Sequence, residues 1–191
     1  MKLHIHETPL AGVVVIDIDC FKDGRGFYME TWNKRDFQAS GLDLNFVQEG
    51  HSRSACGVVR GLHYQDLTAP MGKLVRCTVG EAFDVTVDLR VGSPTFGRWF
   101  GIDLTAENRR QIYIPPGFAH GFQALSESVE MQYKQTGFFV PSSEGTIAWN
   151  DADLAIPWPS SNPILSARDA KGSSLAEYLQ APAFRIDDPR L

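Results

Sequence analysis

Lys73-Leu-Val-Arg-Cys-Thr-Val79, Gly80-Glu81 and Ala82-Phe-Asp-Val-Thr-Val-Asp-Leu-Arg90 follow one another without a break. Side chains alternate on both sides of Gly80-Glu81. In the second run Phe83, Val85, Val87 and Leu89 share one face, and Asp84, Thr86, Asp88 and Arg90 share the other. A period of two marks a strand, and a glycine at the break marks a turn. The stretch therefore reads as a hairpin with one buried face. The same pattern predicts short strands over 12–18, 44–49, 57–65, 98–104, 110–114, 120–125 and 129–138. Gly, Pro and Ser punctuate them at 91–97, 115–117 and 141–145. Many short strands separated by turn signals indicate an all-β sandwich or barrel.

Helical signals are few. Asn33 is placed to cap 34–40, with Gly41 after its end. Ser173 or Ser174 is placed to cap a short helix ending near Leu179. The stretch 151–172 is rich in Pro and Ser and reads as an ordered, irregular tail leading into that helix, within a tail of 151–191. There is no internal repeat and no linker. The expectation is one domain over 1–191, all-β with a few short peripheral helices.

Composition narrows the partners. The 191 residues carry 18 Lys+Arg against 23 Asp+Glu, a formal charge of −5. A nonspecific nucleic-acid binder needs an excess of cations, so none is expected. An anionic ligand would need a few local cations. No apolar run is long enough to span a bilayer, and the early apolar stretch Ala11–Ile18 is strand-sized. The three cysteines, Cys20, Cys56 and Cys77, form no C-x-x-C and no disulfide framework. A soluble, reducing, cytoplasmic setting is expected.

Polar residues on apolar strand faces give the first functional clue. Lys73 shares a face with Val75, Cys77 and Val79; Tyr133 with Val129 and Met131. His120 shares a face with Phe122 and Ala124, and His63 with Val59 and Gly61. In a small barrel the apolar face points inward. Singly, a His or Tyr there is more often a satisfied core residue, and a Lys at a strand start often reaches solvent. Four titratable groups converging on one interior are a candidate for proton-transfer chemistry.

Pro115-Pro-Gly-Phe-Ala-His120 matches the P-x-G-x-x-H half of the cupin signature and supports a jelly roll. The other half would be H-x-H, and here the run is His63-Tyr64-Gln65. Catalytic metal sites usually need three protein ligands, and a third is lacking. The pair His4 and His6 reads as an exposed or edge-strand pair. No metal and no cofactor are assigned. A metal-dependent cupin is the alternative, and a non-catalytic sugar-nucleotide module is a third reading.

Several stretches then resemble one family. They are Asp23-Gly-Arg-Gly-Phe-Tyr-Met-Glu30, His51-Ser-Arg-Ser, Gly57-Val-Val-Arg-Gly-Leu-His-Tyr-Gln65, Asp84-Val-Thr-Val-Asp-Leu-Arg90 and Ser93-Pro-Thr-Phe-Gly-Arg-Trp99. Ile114-Pro-Pro-Gly-Phe-Ala-His-Gly-Phe122, Tyr133-Lys134, Ile147-Ala-Trp-Asn-Asp151 and Leu165-Ser-Ala-Arg-Asp169 complete the set. Together they resemble the dTDP-4-dehydrorhamnose 3,5-epimerases, cofactor-independent, cupin-like sugar-nucleotide epimerases. The resemblance implies a dTDP-4-keto-6-deoxy sugar substrate. It implies that His63 removes the proton next to the C4 ketone and Asp169 partners it. It implies that Lys73 stabilises the enolate and Tyr133 returns a proton from the other face. His120 would line the sugar pocket. Arg25 and Arg60 would hold the diphosphate, with Phe27 and Glu30 on the base side. Gln48, Phe139, Trp149 and Lys171 are further binding candidates. The resemblance also implies a homodimer in which the N-terminal segment, with Arg25, Phe27 and Glu30, serves the partner's site.

Inverting a carbon beside a ketone needs deprotonation on one face and reprotonation on the other. It also needs a preorganised partner for the enolate, typically worth roughly 3 kcal/mol of barrier. Arginine forks suit diphosphate oxygens. One parity conflict stands: strict alternation puts Arg60 and His63 on opposite faces, unless Gly61 hosts a bulge. The chain departs from the family pattern at Gly50, at Phe138-Phe139 and at Arg168. These bear on which sugar binds and on whether C3, C5 or both are inverted.

Overall fold

The computed structural model describes residues 2–191. Its strands are β1 (Leu3–Glu7), β2 (Val14–Ile18), β3 (Phe21–Asp23), β4 (Gly26–Tyr28), β5 (Gln48–Ala55), β6 (Val59–Gln65) and β7 (Lys73–Val79). They continue with β8 (Glu81–Asp88), β9 (Trp99–Thr105), β10 (Gln111–Ile114), β11 (Phe118–Ala124), β12 (Ser128–Gln135) and β13 (Glu144–Thr146). Helices α1 (Lys34–Ala39) and α2 (Leu175–Gln180) are short and peripheral. Six strands form one sheet in the order β1-β2-β10-β7-β12-β5. Five form a second in the order β13-β6-β11-β8-β9, and β3-β4 is a separate hairpin. All the strand pairings are antiparallel. The expected all-β sandwich is thus present. Among the described residues no helix is long and apolar enough to cross a membrane.

The stretch around Gly80 corrects the first reading. Strands β7 and β8 do not pair as a hairpin. The chain leaves the six-stranded sheet at Gly80 and enters the five-stranded one. The faces of β8 are also reversed. Phe83, Val85, Val87 and Leu89 point away from the other sheet and pack with Leu154, Ile156, Leu175, Tyr178 and Phe184. Ala82, Asp84 and Thr86 point between the sheets, opposite Ala124, Phe122 and His120 of β11. Both faces of β8 are buried, because the C-terminal tail covers the outer one. Such a strand hides its inward side from an argument that equates apolar with interior.

The tail is irregular but tightly fastened. Asp151 accepts hydrogen bonds from the backbone N–H groups of Asp153, Leu154 and Leu175, at 3.0, 2.9 and 2.8 Å. Trp99 Nε1 donates to the Leu154 carbonyl, and the Tyr178 hydroxyl to that of Leu89. Ser174 and Glu177 form a reciprocal capping box at α2. Asn33 caps α1 through its contact with the Arg35 N–H. Helix α1 sets Phe37 against Ile16, Leu44 and Leu74 on the outer face of the six-stranded sheet.

Several elements fall outside the sequence reading. The strand expected over 44–49 lies at Gln48–Ala55, and Leu44 packs in the core from a loop. Strands β1, β3, β4 and β13 are additional. In β1, His4 and His6 are exposed on an edge strand, bonded to Asp19 and Asp17.

Between the sheets the lining changes along each strand. On β7 it runs Cys77, Val75, Lys73; on β12, Val129, Met131, Tyr133, Gln135. The apolar residues form one core with Ala82, Leu104, Ile112, Phe122 and Ala124. The polar ends gather at one mouth of the sandwich.

Strand β6 reaches that mouth through an irregularity. Arg60 lies opposite Phe122 and His63 opposite His120, with the register shifting in between. One extra residue on β6 turns both side chains inward, and Val59 outward with Gln123. His63 therefore does not share a face with Val59. The bulge needs glycine: Gly61 has φ +124°, and a Cβ there would lie 2.6 Å from Gly121 Cα and 2.7 Å from the His120 carbonyl oxygen. Gly61→Ala is expected to destabilise the protein by about 2–4 kcal/mol through backbone strain and overpacking. Urea unfolding measures this, and an unchanged midpoint would contradict it.

Candidate active site

The mouth encloses a cavity of about 280 Å³. His63, Lys73, His120, Tyr133, Asp169, Arg60 and Phe139 all line it. The five-stranded sheet supplies His63 and His120; the six-stranded sheet supplies Lys73 and Tyr133. Titratable groups thus approach the cavity from facing sheets.

The His63 ring meets Asp169 with Nε2 2.5 Å from Oδ1. Asp169 is 3% exposed and sits on a short helical turn, Asp169–Lys171, that the tail presses against β6. Its Oδ2 accepts from Ser166 Oγ at 2.7 Å. Burial alone would raise the Asp169 pKa, but the hydrogen bonds from His63 and Ser166 outweigh it and hold the carboxyl below its usual value. The carboxylate therefore fixes the ring and its tautomer. Burial holds His63 below the ordinary histidine value. Asp169 opposes that shift, and the charges of Arg168 and Lys73 add to it. A neutral imidazole near neutral pH is a base able to accept a proton.

Tyr133 stands on the facing sheet, its hydroxyl 2.9 Å from Ser52 Oγ. Burial pushes the phenol well above its ordinary pKa, with the Ser52 bond working against it. It stays protonated and gives up its proton only to a strong base, such as a carbanionic carbon. Lys73 lies one strand away, with its pKa lowered to about 8 by burial against the opposing charges of Glu144 and Asp84. Its ammonium has no hydrogen bond or ion pair among the described residues and is free for an oxyanion. His120 is 4% exposed, and its Nε2 is 2.8 Å from Asp84 Oδ2. Among the described residues, Asp84 Oδ1 and Thr86 Oγ1 beside it are buried without partners.

Other predicted residues are placed differently. Arg60 is on the rim, donating to Ser54 Oγ and the Arg53 carbonyl. Gln48 lies outside the lining but donates to Gln135 and accepts from the Phe139 N–H, so it holds two residues that do line it. Arg25, Phe27 and Glu30 do not reach the cavity of their own chain. Arg25 pairs with Asp23 on the exposed β3–β4 hairpin, Phe27 lies under the Arg109 guanidinium, and Glu30 accepts from Asn33. Trp149 and Lys171 do not line the cavity either. The Trp149 carbonyl accepts from Trp158 Nε1, and Lys171 is exposed at the end of its turn.

Sequence reasoning missed Ser52, Gln135, Glu144 and Ser166 as lining residues. Ser52 belongs to β5, whose residues are nearly all polar or small, so no apolar face marked its inward side. Glu144 starts a three-residue strand with no periodicity to read.

Comparison with known proteins matches this chain to a family. The family model described as dTDP-4-dehydrorhamnose 3,5-epimerase matches residues 7–177. A dTDP-4-dehydrorhamnose 3,5-epimerase of Pseudomonas aeruginosa is 53% identical over 86% of this chain and 92% of its own length. A dTDP-4-dehydrorhamnose 3-epimerase of Streptomyces niveus is 40% identical over 94% of this chain and 87% of its own. Among solved structures, the dTDP-6-deoxy-D-glucose-3,5-epimerase of Legionella pneumophila, in complex with dTDP-4-keto-L-rhamnose, superposes with a TM-score of 0.92. It is 42% identical and covers 98% of this chain and 100% of that one. The sandwich is thus a cupin-like jelly roll, and the chain belongs to the dTDP-4-dehydrorhamnose 3,5-epimerase family of isomerases.

Proposed function

We propose that the protein epimerises a dTDP-4-keto-6-deoxyhexose at C3, C5 or both, by proton removal and return next to the C4 ketone. One observation carries this reading. A carboxylate-partnered imidazole and a protonated phenol stand on facing sheets of one cavity, with an unpaired ammonium beside them. His63 takes the α-proton, leaving an enolate whose oxygen Lys73 stabilises. Tyr133 delivers a proton to the opposite face of the same carbon. The donors sit in place before the reaction, so little reorganisation opposes the step. His120, fixed by Asp84, lines the sugar end, and Arg60 on the rim is suited to the diphosphate. The proton transfers need no metal or other cofactor, because the ketone and Lys73 together acidify the carbon.

The reading extends to a homodimer. The β3–β4 hairpin exposes Phe21, Phe27 and Tyr28 and carries Arg25 away from its own cavity. An exposed aromatic hairpin whose arginine points away from its own cavity suits a second copy, whose site would gain Arg25, Phe27 and Glu30. Gln48, through Phe139, would act on the nucleotide side. Trp149 and Lys171 would contact the substrate beyond the cavity lining. The three free thiols suit a cytoplasmic setting. The 3-epimerase of Streptomyces niveus favours a second reading, inversion at C3 alone.

In deuterated water with dTDP-4-keto-6-deoxyglucose, NMR should show deuterium entering C3, C5 or both after metal removal with a chelator. His63→Ala should lower turnover about 10³-fold and leave substrate affinity within a few-fold. Retained turnover, or activity restored only by a metal, contradicts the assignment.

The Lys73 ammonium is charged below about pH 8 and neutral above it. Enolate stabilisation is therefore lost as pH rises through that value, and kcat/KM should fall there. In Lys73→Arg the fall should move beyond about pH 10, since guanidinium does not titrate in that range. A basic limb that stays put assigns it to another group.

If Arg25 serves the neighbouring site, Arg25→Ala and His63→Ala enzymes are each nearly inactive but should complement on mixing and reassembly. One site of each mixed dimer is then intact, so roughly a quarter of wild-type activity returns. No recovery in demonstrated mixed dimers would refute the exchange.

A further inference from the structure

Arg168 holds an unusual position. It is half-exposed, but its guanidinium reaches inward to three partners. Nη1 donates to Glu144 Oε2, Nε lies 3.8 Å from Asp169 Oδ1, and Nη2 lies 3.1 Å from His63 Nε2. The same Nε2 is 2.5 Å from Asp169 Oδ1. One ring nitrogen cannot donate to Asp169 and accept from Arg168 at once. The buried carboxylate offers the stronger, charge-assisted bond, so the Nε2 proton belongs to Asp169. Nδ1 has no hydrogen bond among the described residues and carries the lone pair. Adding a proton there would create an imidazolium pressed against a guanidinium.

We propose that Arg168 is a positioning residue for the base: braced by Glu144, it holds a fixed positive charge against His63 Nε2 and so keeps the ring neutral and proton-accepting. The inference rests on the reading of His63 as the base. Other groups face His63 from every side of the cavity. Asp169 comes from the same turn as Arg168, Glu144 from β13 and Lys73 from β7. Tyr133 comes from β12, and the His120–Asp84 pair from β11 and β8. Asp169 favours the protonated ring, whereas Arg168 and Lys73 disfavour it. Arg168 comes within 3.1 Å of a ring atom, and its ion pair with Glu144 restrains it there.

The test uses full-length protein with ¹⁵N-labelled histidine. The imidazole of His63, assigned by its loss in His63→Asn, is titrated by NMR in wild type, Arg168→Gln and Arg168→Lys. The pH dependence of kcat/KM is recorded beside it. Removing the charge makes protonation easier, so Arg168→Gln should raise the His63 midpoint by roughly one pH unit. The acidic limb of kcat/KM should move to higher pH with it, and Arg168→Lys should restore both. Arg168→Met, which keeps the stem and removes the charge, replaces Arg168→Gln if that variant is unstable. A raised KM with an unmoved midpoint means that Arg168 only binds substrate, and it overturns the inference. A moved midpoint with an unmoved limb shows that Arg168 sets the charge state of His63 but that His63 is not the base, and it overturns the proposed function together with the positioning role.

Discussion

The backbone contact between Gly61 and Gly121 sets the geometry of the whole cavity. In a regular antiparallel pair, Arg60 and His63 would point to opposite faces. The extra residue on β6 brings both inward, and the strands absorb it only because neither glycine carries a Cβ. His63 then stands directly opposite His120, and the turn holding Asp169 can close on its ring. The tail has to be in place for that closure. Asp151, Trp99 and Tyr178 fasten it over the outer face of β8 and β11, so a packing arrangement remote from the cavity delivers the carboxylate partner of His63.

The interior is divided by chemistry. One end between the sheets is apolar and close-packed; the other gathers ionisable groups that water would otherwise solvate. Removing such groups from water is costly unless they are partnered. Two of them are: His63 with Asp169, and His120 with Asp84. Lys73 is not, and that is where a developing negative charge would be most strengthened. Within a chain of formal charge −5, the mouth gathers three cations, Arg60, Lys73 and Arg168, beside the carboxylates of Glu144 and Asp169.

Much of this was legible in the sequence. Period-two alternation located most strands, and the inward parity of Lys73, Tyr133 and His120 held because β7, β12 and β11 keep their apolar faces toward the other sheet. Gly61 was recognisable as the place where parity had to break. The reading failed where a strand is covered on both sides, as with β8, whose polar side faces the space between the sheets. It failed on β5, where a polar strand at the sheet edge leaves no apolar face to count. The β7–β8 hairpin failed because a turn signal at Gly80 does not distinguish a return within one sheet from a passage to the next. Asp169 came from the resemblance, since no local pattern links it to a histidine 106 positions away.

The central claim is that base and acid act from opposite faces of one carbon. Tyr133→Phe removes the acid and leaves the His63–Asp169 pair intact. With substrate in deuterated water, the variant should still exchange the α-proton, but the deuterium should enter with retained configuration, because only the His63 face can return it. Unchanged inversion by Tyr133→Phe, at a rate near wild type, would contradict the account.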